Sequence, residues 1–263
     1  MRCAVRGAAL GSPAREVDVT RTTGRTDPFE RVPDGVRPPQ ASPAYRSTSL
    51  RAPSAPLVLL PHRLGEVTGP VLGAERVRPG DDDLTRQAVG EAVGQRIVVQ
   101  GRVLDSGGRP VPHALVEVWQ ANAAGRYAHP LDTWPAPLDP GFVGTGRTVT
   151  DADGRYRFTT VRPGAYPWKN HHNAWRPAHI HFSLFGTAFV QRLVTQMYFP
   201  DDPLFSQDPV FTAVPEGARQ RLVSRFSLEQ TQPEWALAYE FDVVLRGRDA
   251  TPFEDPHGHG DEA

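Results

Sequence analysis

The sequence has very little sulfur chemistry to offer. Its 263 residues include a single cysteine, Cys3. One thiol cannot form a disulfide within the chain, and it cannot supply a cysteine-based zinc or iron–sulfur site. Because secreted proteins usually carry several cysteines in disulfides, the sequence indicates a reducing, cytoplasmic location.

An excess of charge of either sign is also missing. The formal net charge is −1 and the isoelectric point is about 6.8. Nothing in that balance favours a nucleic acid or an anionic membrane surface as a partner. No apolar run approaches the roughly 20 residues of a membrane span, and the N-terminus lacks the apolar segment of a signal peptide. We therefore expect neither nucleic acid nor a membrane among the partners.

Proline marks a boundary within the chain. Residues 1–84 contain eleven of the 27 prolines and show little hydrophobic periodicity, and residues that precede proline disfavour helix. We predict a disordered N-terminal extension at residues 1–30 and an extended, proline-rich arm at residues 31–95 that packs on the core or on a partner subunit. A brief helix is predicted near Asp83–Val93, and a flexible tail at residues 251–263.

Residues 96–250 are typical of one β-sandwich domain built from short strands. The segments IVVQGRVLD, ALVEVWQ, AHIHFSLF, RLVTQMYF and ALAYEFDVVL are strand-like, and RTVTDADGRYRFTTV is typical of a hairpin turning at Asp153-Gly154. The stretch Pro215–Phe226 is typical of a helix, with apolar residues on one face. We predict an all-β fold: a transthyretin-like β-sandwich core with long active-site loops, one or two short helices and the N-terminal arm.

Two long loops interrupt the strands, at Ala121–Gly146 and Arg162–Pro177. Loops of this length inside a compact domain are usually functional. The first carries Tyr127 and the second carries Tyr166 before it runs into a strand that contains His179 and His181.

The two histidines are two residues apart, so they project from the same face of a strand. Buried imidazoles need partners. A shared metal ion would provide one, and a polar pocket or packing against backbone acceptors would provide another. Phenolate and imidazole donors together suit a hard, strongly charged cation such as ferric iron, because a phenol with a pKa near 10 ionises at neutral pH only beside such an ion.

The chain contains, in sequence order, the motifs LVEVWQAN, GRYAHP, LDPGF, AYPW, WRPAHIHF and LVTQMYFPDDPL. Together they resemble the intradiol ring-cleaving dioxygenases, over about residues 45 to 254. The resemblance implies a site of eight residues built around a non-haem Fe(III) ion. They are the metal ligands Tyr127, Tyr166, His179 and His181, the catalytic residues Arg176 and Gln196, and the substrate-binding residues Tyr45 and Trp168.

Within that family the resemblance is to the iron-bearing β type of chain that acts on protocatechuate. It implies that the enzyme uses O2 to cleave protocatechuate between its two hydroxylated carbons. The product would be 3-carboxy-cis,cis-muconate, and the reaction is a step of the β-ketoadipate pathway. It also implies an α chain as partner in an αβ hetero-oligomer. Catechol or hydroxyquinol remains an alternative substrate. The sandwich motifs GRVLDSGGRPVPHALVEVW and TDADGRYRF alone would equally suit a non-catalytic transthyretin-like module.

Overall fold

A computed structural model of the chain describes residues 38–39, 41–42, 48, 52, 73–169, 172–185 and 192–252. The predicted extension at 1–30, most of the arm up to residue 72, and the tail beyond residue 252 lie outside the described residues. In the described ranges, two β-sheets enclose one main hydrophobic core. No helix in those ranges is long and apolar enough to cross a membrane.

The first sheet has five strands arranged around β1 (Arg96–Leu104). Strand β4 (Arg155–Val161) lies antiparallel along one edge of β1. Strands β10 (Leu237–Glu240) and β11 (Val243–Val244) lie parallel to β1 along its other edge. A short strand β9 (Arg225–Phe226) pairs with β10 in the antiparallel sense.

The second sheet has four antiparallel strands and carries the two histidines. Its strands are β2 (Leu115–Trp119), β3 (Thr145–Val149), β7 (His179–Phe185) and β8 (Arg192–Tyr198), in the order β3-β2-β7-β8. Strand β7 is therefore an inner strand, paired on both edges. An inner strand is held by two ladders, so the side chains that it presents are fixed in register.

Smaller elements complete the described chain. Strands β5 (Tyr166–Trp168) and β6 (Ala174–Arg176) form an antiparallel pair within the second long loop. Helix α1 spans Pro209–Ala213 and helix α2 spans Glu216–Arg219. Three single turns of 3₁₀ helix lie at Ala74–Arg76, Phe205–Gln207 and Gln220–Leu222.

Alternation along the strands explains where the core lies. On β7, the residues that alternate with the histidines are Ile180, Phe182 and Leu184, and all three are fully buried in the main core. Residue Leu84, from the end of the N-terminal segment, is also fully buried there, and its backbone N–H donates to the carbonyl of Thr159 on β4 at 2.9 Å. The all-β sandwich predicted from the sequence is confirmed.

The predicted hairpin around Asp153-Gly154 is wrong. The chain does turn there, with the Gly154 N–H donating to the Asp151 carbonyl at 3.0 Å. The flanking strands then separate, because β3 pairs with β2 in the second sheet and β4 pairs with β1 in the first. The turn therefore connects the two layers. Strand β4 can cross because its buried side chains, such as Tyr156 and Phe158, fill the core from the opposite sheet.

The helix predictions need two corrections. Residues 83–93 form no helix, and contain turns, bends and an isolated β-bridge between Asp83 and Thr159. The helix predicted over Pro215–Phe226 ends early, since α2 stops at Arg219 and one 3₁₀ turn follows it. The chain is then drawn into extended pairing, because the Ser224 N–H donates to the Tyr198 carbonyl at 2.8 Å and Arg225–Phe226 forms β9. Tertiary pairing overrides a helical pattern here.

Candidate metal centre

Strand β7 presents His179 and His181 side by side on the face that points away from the main core. Both side chains are 1% exposed, and their Nε2 atoms lie 3.2 Å apart. The register of the second sheet places Tyr198 and Gln196 of β8 opposite the two histidines. On the other edge of β7, Trp119 of β2 lies opposite His181. The two histidines thus lie on a strand that is paired on both edges.

Tyr127 comes to the site on a turn that is closed by side-chain hydrogen bonds. Asn122 accepts hydrogen bonds at its Oδ1 from the backbone N–H groups of Ala124 and Arg126, at 2.9 and 3.0 Å. The Tyr127 N–H donates to Asp132 Oδ2 at 2.8 Å. These bonds hold the turn in place without a regular secondary-structure element, which a polar, Asn- and Asp-containing loop can do.

The second tyrosine loop passes against the first at one glycine. Gly125 has a φ of 77°, and a Cβ atom at this position would lie 2.3 Å from the carbonyl oxygen of Ala165. Only glycine tolerates both the left-handed conformation and this approach. Ala165 directly precedes Tyr166, which begins β5 and pairs with Arg176 of β6. The close contact therefore fixes the two tyrosine loops relative to each other.

The side chains predicted as ligands converge on one small volume. Going round the group, the Tyr127 hydroxyl lies 3.4 Å from the Tyr166 hydroxyl, which lies 3.3 Å from His179 Nε2. His179 Nε2 lies 3.2 Å from His181 Nε2, and that atom lies 3.2 Å from the Tyr127 hydroxyl. The four donor atoms form a closed ring of nearly equal edges.

The size of this ring fits a metal ion. Nitrogen and oxygen donors bind first-row metal ions at roughly 2.0–2.2 Å, and donors that share one such ion tetrahedrally are separated by about 3.3–3.6 Å on that basis. In the described part of the chain, no group of three or more His, Cys, Asp and Glu side chains could hold a metal. Any metal centre at this place would therefore depend on its tyrosine oxygens, which favours a hard cation over zinc.

The tautomer of His179 also suits a ligand. Its Nδ1 lies 2.7 Å from the carbonyl oxygen of Pro177, so that nitrogen carries the proton and donates it, and the Nε2 lone pair faces the other three donors. Burial lowers the pKa of His179 well below its ordinary value, and the charge of Arg176 acts in the same direction. The ring is therefore neutral at neutral pH, as ligation requires.

A buried polar network lies beside the four donors. Arg176 is 1% exposed, and its Nε donates to Asp208 Oδ2 at 3.1 Å. Its Nη2 donates to Gln196 Oε1. The Tyr198 hydroxyl lies 2.9 Å from Asp208 Oδ2 and 2.7 Å from Gln196 Oε1. Burial, and then the charge of Asp208, raise the pKa of Tyr198 well above its ordinary value, so its hydroxyl stays protonated as a donor.

Two tryptophans flank the site. The ring of Trp168 lies 5.4 Å from the guanidinium carbon of Arg176, within the range of a cation–π contact. Trp119 is partly buried and stacks flat on the His181 ring, with centroids 4.7 Å apart and planes 4° apart. Trp119 therefore restricts the rotation of His181.

Asp208 and Tyr198 were not among the site residues predicted from the sequence, and the predicted Tyr45 lies outside the described residues. Strand alternation could have revealed Tyr198, because it lies two residues after Gln196 and shares its face. The signal at Asp208 is weaker. An Asp followed by Pro at the start of a short helix indicates an N-cap, and Asp208 does cap α1 through Val210. That signal says nothing about the pairing with Arg176.

Comparison with known proteins gives the family. Residues 67–247 match the dioxygenase family model and residues 29–63 match the model for the N-terminal region of the protocatechuate 3,4-dioxygenase β subunit. The protocatechuate 3,4-dioxygenase β chain of Burkholderia cepacia is 63% identical over 219 residues, which are 82% of this chain and 93% of the relative.

Two more distant relatives share part of the chain. Hydroxyquinol 1,2-dioxygenase of a Rhizobium species is 35% identical over 58% of this chain and 55% of its own length. The solved structure of mercury-inhibited catechol 1,2-dioxygenase from an Acinetobacter species is 26% identical, with a TM-score of 0.47, and covers 64% of this chain and 58% of its own. The chain thus spans little more than half the length of these two proteins. The family-model match and the Burkholderia relative show that the chain belongs to the intradiol ring-cleavage dioxygenase family.

Proposed function

We propose that the chain is the iron-bearing β subunit of a protocatechuate 3,4-dioxygenase. In this proposal it binds Fe(III) through Tyr127, Tyr166, His179 and His181. It uses O2 to cleave protocatechuate between the two hydroxylated carbons, which gives 3-carboxy-cis,cis-muconate. The observation that carries the proposal is the closed ring of two phenol oxygens and two imidazole nitrogens with edges of 3.2–3.4 Å.

The donor set supports iron in the ferric state. Two tyrosinates and two neutral imidazoles would leave Fe(III) with a net charge of +1, which favours a dianionic catecholate as a further ligand. A bound ferric ion would supply Lewis-acid chemistry and a template on which substrate is oriented. The protein's own contribution is to hold the four donors, through the β7 register and the hydrogen bond from His179 Nδ1 to the Pro177 carbonyl.

Arg176 would stabilise negative charge on the bound ring. Its guanidinium is fixed, fully buried and always protonated, and charge stabilisation is strong in a place from which water is excluded. The planar cation is well shaped to lie against an electron-rich aromatic ring, as it lies against Trp168 at 5.4 Å. In the proposed reaction it favours the form of the substrate in which electron density is raised on the ring carbons.

Gln196 and Trp168 would orient the substrate. Gln196 lies opposite His181 in the sheet and accepts a hydrogen bond from Arg176, so its amide can align reacting groups next to the candidate ligands. Trp168 is partly buried at the end of β5 and would form one wall of the substrate cavity. Tyr45 is proposed to contact the substrate carboxylate, on the resemblance alone.

We further propose an α chain of the same enzyme as the partner in a hetero-oligomer. The support is the 63% identity to a protein that is a β chain and the match to the β-subunit N-terminal family model. A cytoplasmic location is proposed from the single cysteine.

Hydroxyquinol is the second candidate substrate, because a hydroxyquinol dioxygenase is 35% identical over 58% of this chain. Catechol, the other alternative substrate that the sequence allows, is the third candidate. The non-catalytic transthyretin-like module is set aside, since the chain belongs to a dioxygenase family and such a module gives no reason for the convergence of four donors.

The test combines metal, colour and oxygen uptake. The full chain is co-expressed with its α partner, and iron per chain, the visible absorption of ferric tyrosinate, and O2 uptake with protocatechuate, catechol and hydroxyquinol are measured. We expect about one iron per chain, a red protein and the highest kcat/KM with protocatechuate. A colourless, iron-free protein, or a preference for catechol or hydroxyquinol, would contradict the proposal.

A matched pair of variants makes the test specific. Tyr166→Phe and Tyr156→Phe each remove one hydroxyl from a buried tyrosine, and Tyr156 lies in the main core rather than among the donors. Tyr166→Phe should weaken the visible band and lower turnover at least a hundredfold, whereas Tyr156→Phe should keep both. Equal effects of the two substitutions would refute the assignment of Tyr166 as a ligand.

A further inference from the structure

Asp208 is a buried carboxylate whose place the proposed reaction does not explain. It is 0% exposed, and its Oδ2 accepts a hydrogen bond from Nε of Arg176 at 3.1 Å. We infer that Asp208 is a positioning residue that fixes the guanidinium of Arg176 in the orientation needed for ring cleavage. The inference rests on the proposed function, because Arg176 takes its role from that function.

Asp208 is itself held by hydrogen bonds to its side chain and to its backbone carbonyl. Its Oδ1 accepts a hydrogen bond from the Val210 N–H at 2.8 Å and so caps helix α1. Its carbonyl oxygen accepts hydrogen bonds from the N–H and the hydroxyl of Thr212, at 2.9 and 2.8 Å. With one carboxylate oxygen fixed to the helix, the other has a defined direction, and that direction is toward Arg176.

Tyr198 connects this pair to the candidate ligands. Its hydroxyl lies 2.9 Å from Asp208 Oδ2 and 3.4 Å from Nη2 of Arg176. Its ring stacks on the ring of His179, with centroids 5.7 Å apart and planes 30° apart. The carboxylate, the guanidinium and the histidine are therefore joined by continuous contacts, which places Asp208 one side chain away from the candidate ligands.

A hydrogen bond to one edge of a guanidinium restricts the orientation of the whole group. The group is planar and presents its donors as a rigid fork. Because Asp208 takes the Nε edge, the Nη2 end is directed at Gln196, which lies opposite His181 in the sheet. The negative charge also compensates a cation that is fully buried and cannot lose its proton. Without Asp208, the guanidinium would keep its charge but lose the contact that sets its angle.

The test is a double-mutant cycle with Asp208→Asn and Arg176→Gln. Asparagine keeps the size of the side chain and caps helices as well as aspartate does, so α1 is preserved. It removes the charge that faces Arg176. If Asp208 acts through Arg176, D208N should lower kcat for protocatechuate at least tenfold in the wild-type background and less than twofold in the R176Q background.

Two readouts separate positioning from a loss of structure. Iron content and the visible absorption band of D208N should equal those of the wild type, because no candidate ligand is changed. Asp202→Asn is the matched control, since Asp202 caps a turn in the same segment through the Leu204 N–H at 3.0 Å and is only partly buried. The same loss of charge there should leave kcat within twofold of the wild type.

The outcomes are distinguishable. If D208N keeps the wild-type kcat, or lowers kcat by the same factor in both backgrounds, Asp208 does not act through Arg176 and the inference is refuted while the proposed function stands. If the wild-type protein neither binds iron nor consumes O2 with protocatechuate, the proposed function fails, and the inference fails with it.

Discussion

The hydroxyl of Tyr156 offers a quantitative test of how the sandwich is held together. Tyr156 lies on β4, is 3% exposed, and donates its O–H to the carbonyl oxygen of Phe241 across the first sheet. Tyr156→Phe keeps the ring and deletes only this donor. A buried carbonyl that loses its donor costs about 1–3 kcal/mol of stability, so we expect the free energy of unfolding to fall by about 2 kcal/mol. For a protein of this size that is a decrease in Tm of about 4–8 °C.

The same group gives the substitution a dependence on pH. Burial, and then the charge of Asp242, raise the pKa of Tyr156 in the folded protein well above its ordinary value. In the unfolded chain the same hydroxyl has its ordinary pKa of about 10. Between these two pKa values the unfolded state releases a proton that the folded state retains. The ionisation of Tyr156 therefore leaves wild-type stability unchanged below about pH 10. Between the two pKa values it lowers the free energy of unfolding by about 1.4 kcal/mol per pH unit.

Tyr156→Phe removes this alkaline loss together with the hydrogen bond. The stability difference between wild type and variant should therefore be about 2 kcal/mol at pH 7.5 and should shrink steadily above about pH 10. Urea denaturation of both proteins from pH 7.5 to 11.5 measures the difference. Two curves that stay parallel across this range, or a variant as stable as wild type at pH 7.5, would refute the reasoning.

Three other substitutions test packing at single places. Gly101→Ala should prevent folding or lower Tm by more than about 10 °C, because a Cβ atom there would lie 1.9 Å from the carbonyl oxygen of Phe241; soluble protein with wild-type Tm would contradict this. Gly217→Ala is its control, since nothing lies within 4 Å of the added atom in helix α2, and it should raise stability by about 0.5–1 kcal/mol in the same melting assay. Trp134→Ala removes an edge-to-face contact with Trp175, with centroids 6.3 Å apart, that joins the two long loops. It should cost about 0.5–1.5 kcal/mol and raise KM severalfold in oxygen-uptake assays, and an unchanged KM would show that this contact does not shape the cavity.

Much of the fold could be predicted because alternation is a local property. The residues between and after His179 and His181, such as Ile180 and Phe182, had to face the core if the histidines faced outward, and they do. The failure at Asp153-Gly154 has a physical cause. The turn at this position depends on local sequence and was predicted correctly. The choice of pairing partner depends instead on which sheet edge is open to each strand. Strand β3 pairs with β2 in one sheet, and β4 pairs with β1 in the other.

The candidate site divides in the same way. The tyrosine loops and the two histidines carry distinctive motifs, so those four residues and Arg176 could be named from the sequence. Asp208 could not, because the Arg176–Asp208 pair joins residues 32 positions apart through a helix cap. The local sequence around Asp208 predicts only a helix N-cap, and gives no indication of the pairing with Arg176. The stacking of Trp119 on His181 follows from the end of β2 lying opposite that histidine, a pairing that the local sequence does not specify.

The most direct test of the central claim is where iron lies in crystals of the purified protein. An anomalous difference map recorded at the iron absorption edge should show one strong peak per chain, within bonding distance of the Tyr127 and Tyr166 hydroxyl oxygens and of Nε2 of His179 and His181. A map with no peak among these four atoms, or with the iron held elsewhere on the chain, would contradict the account.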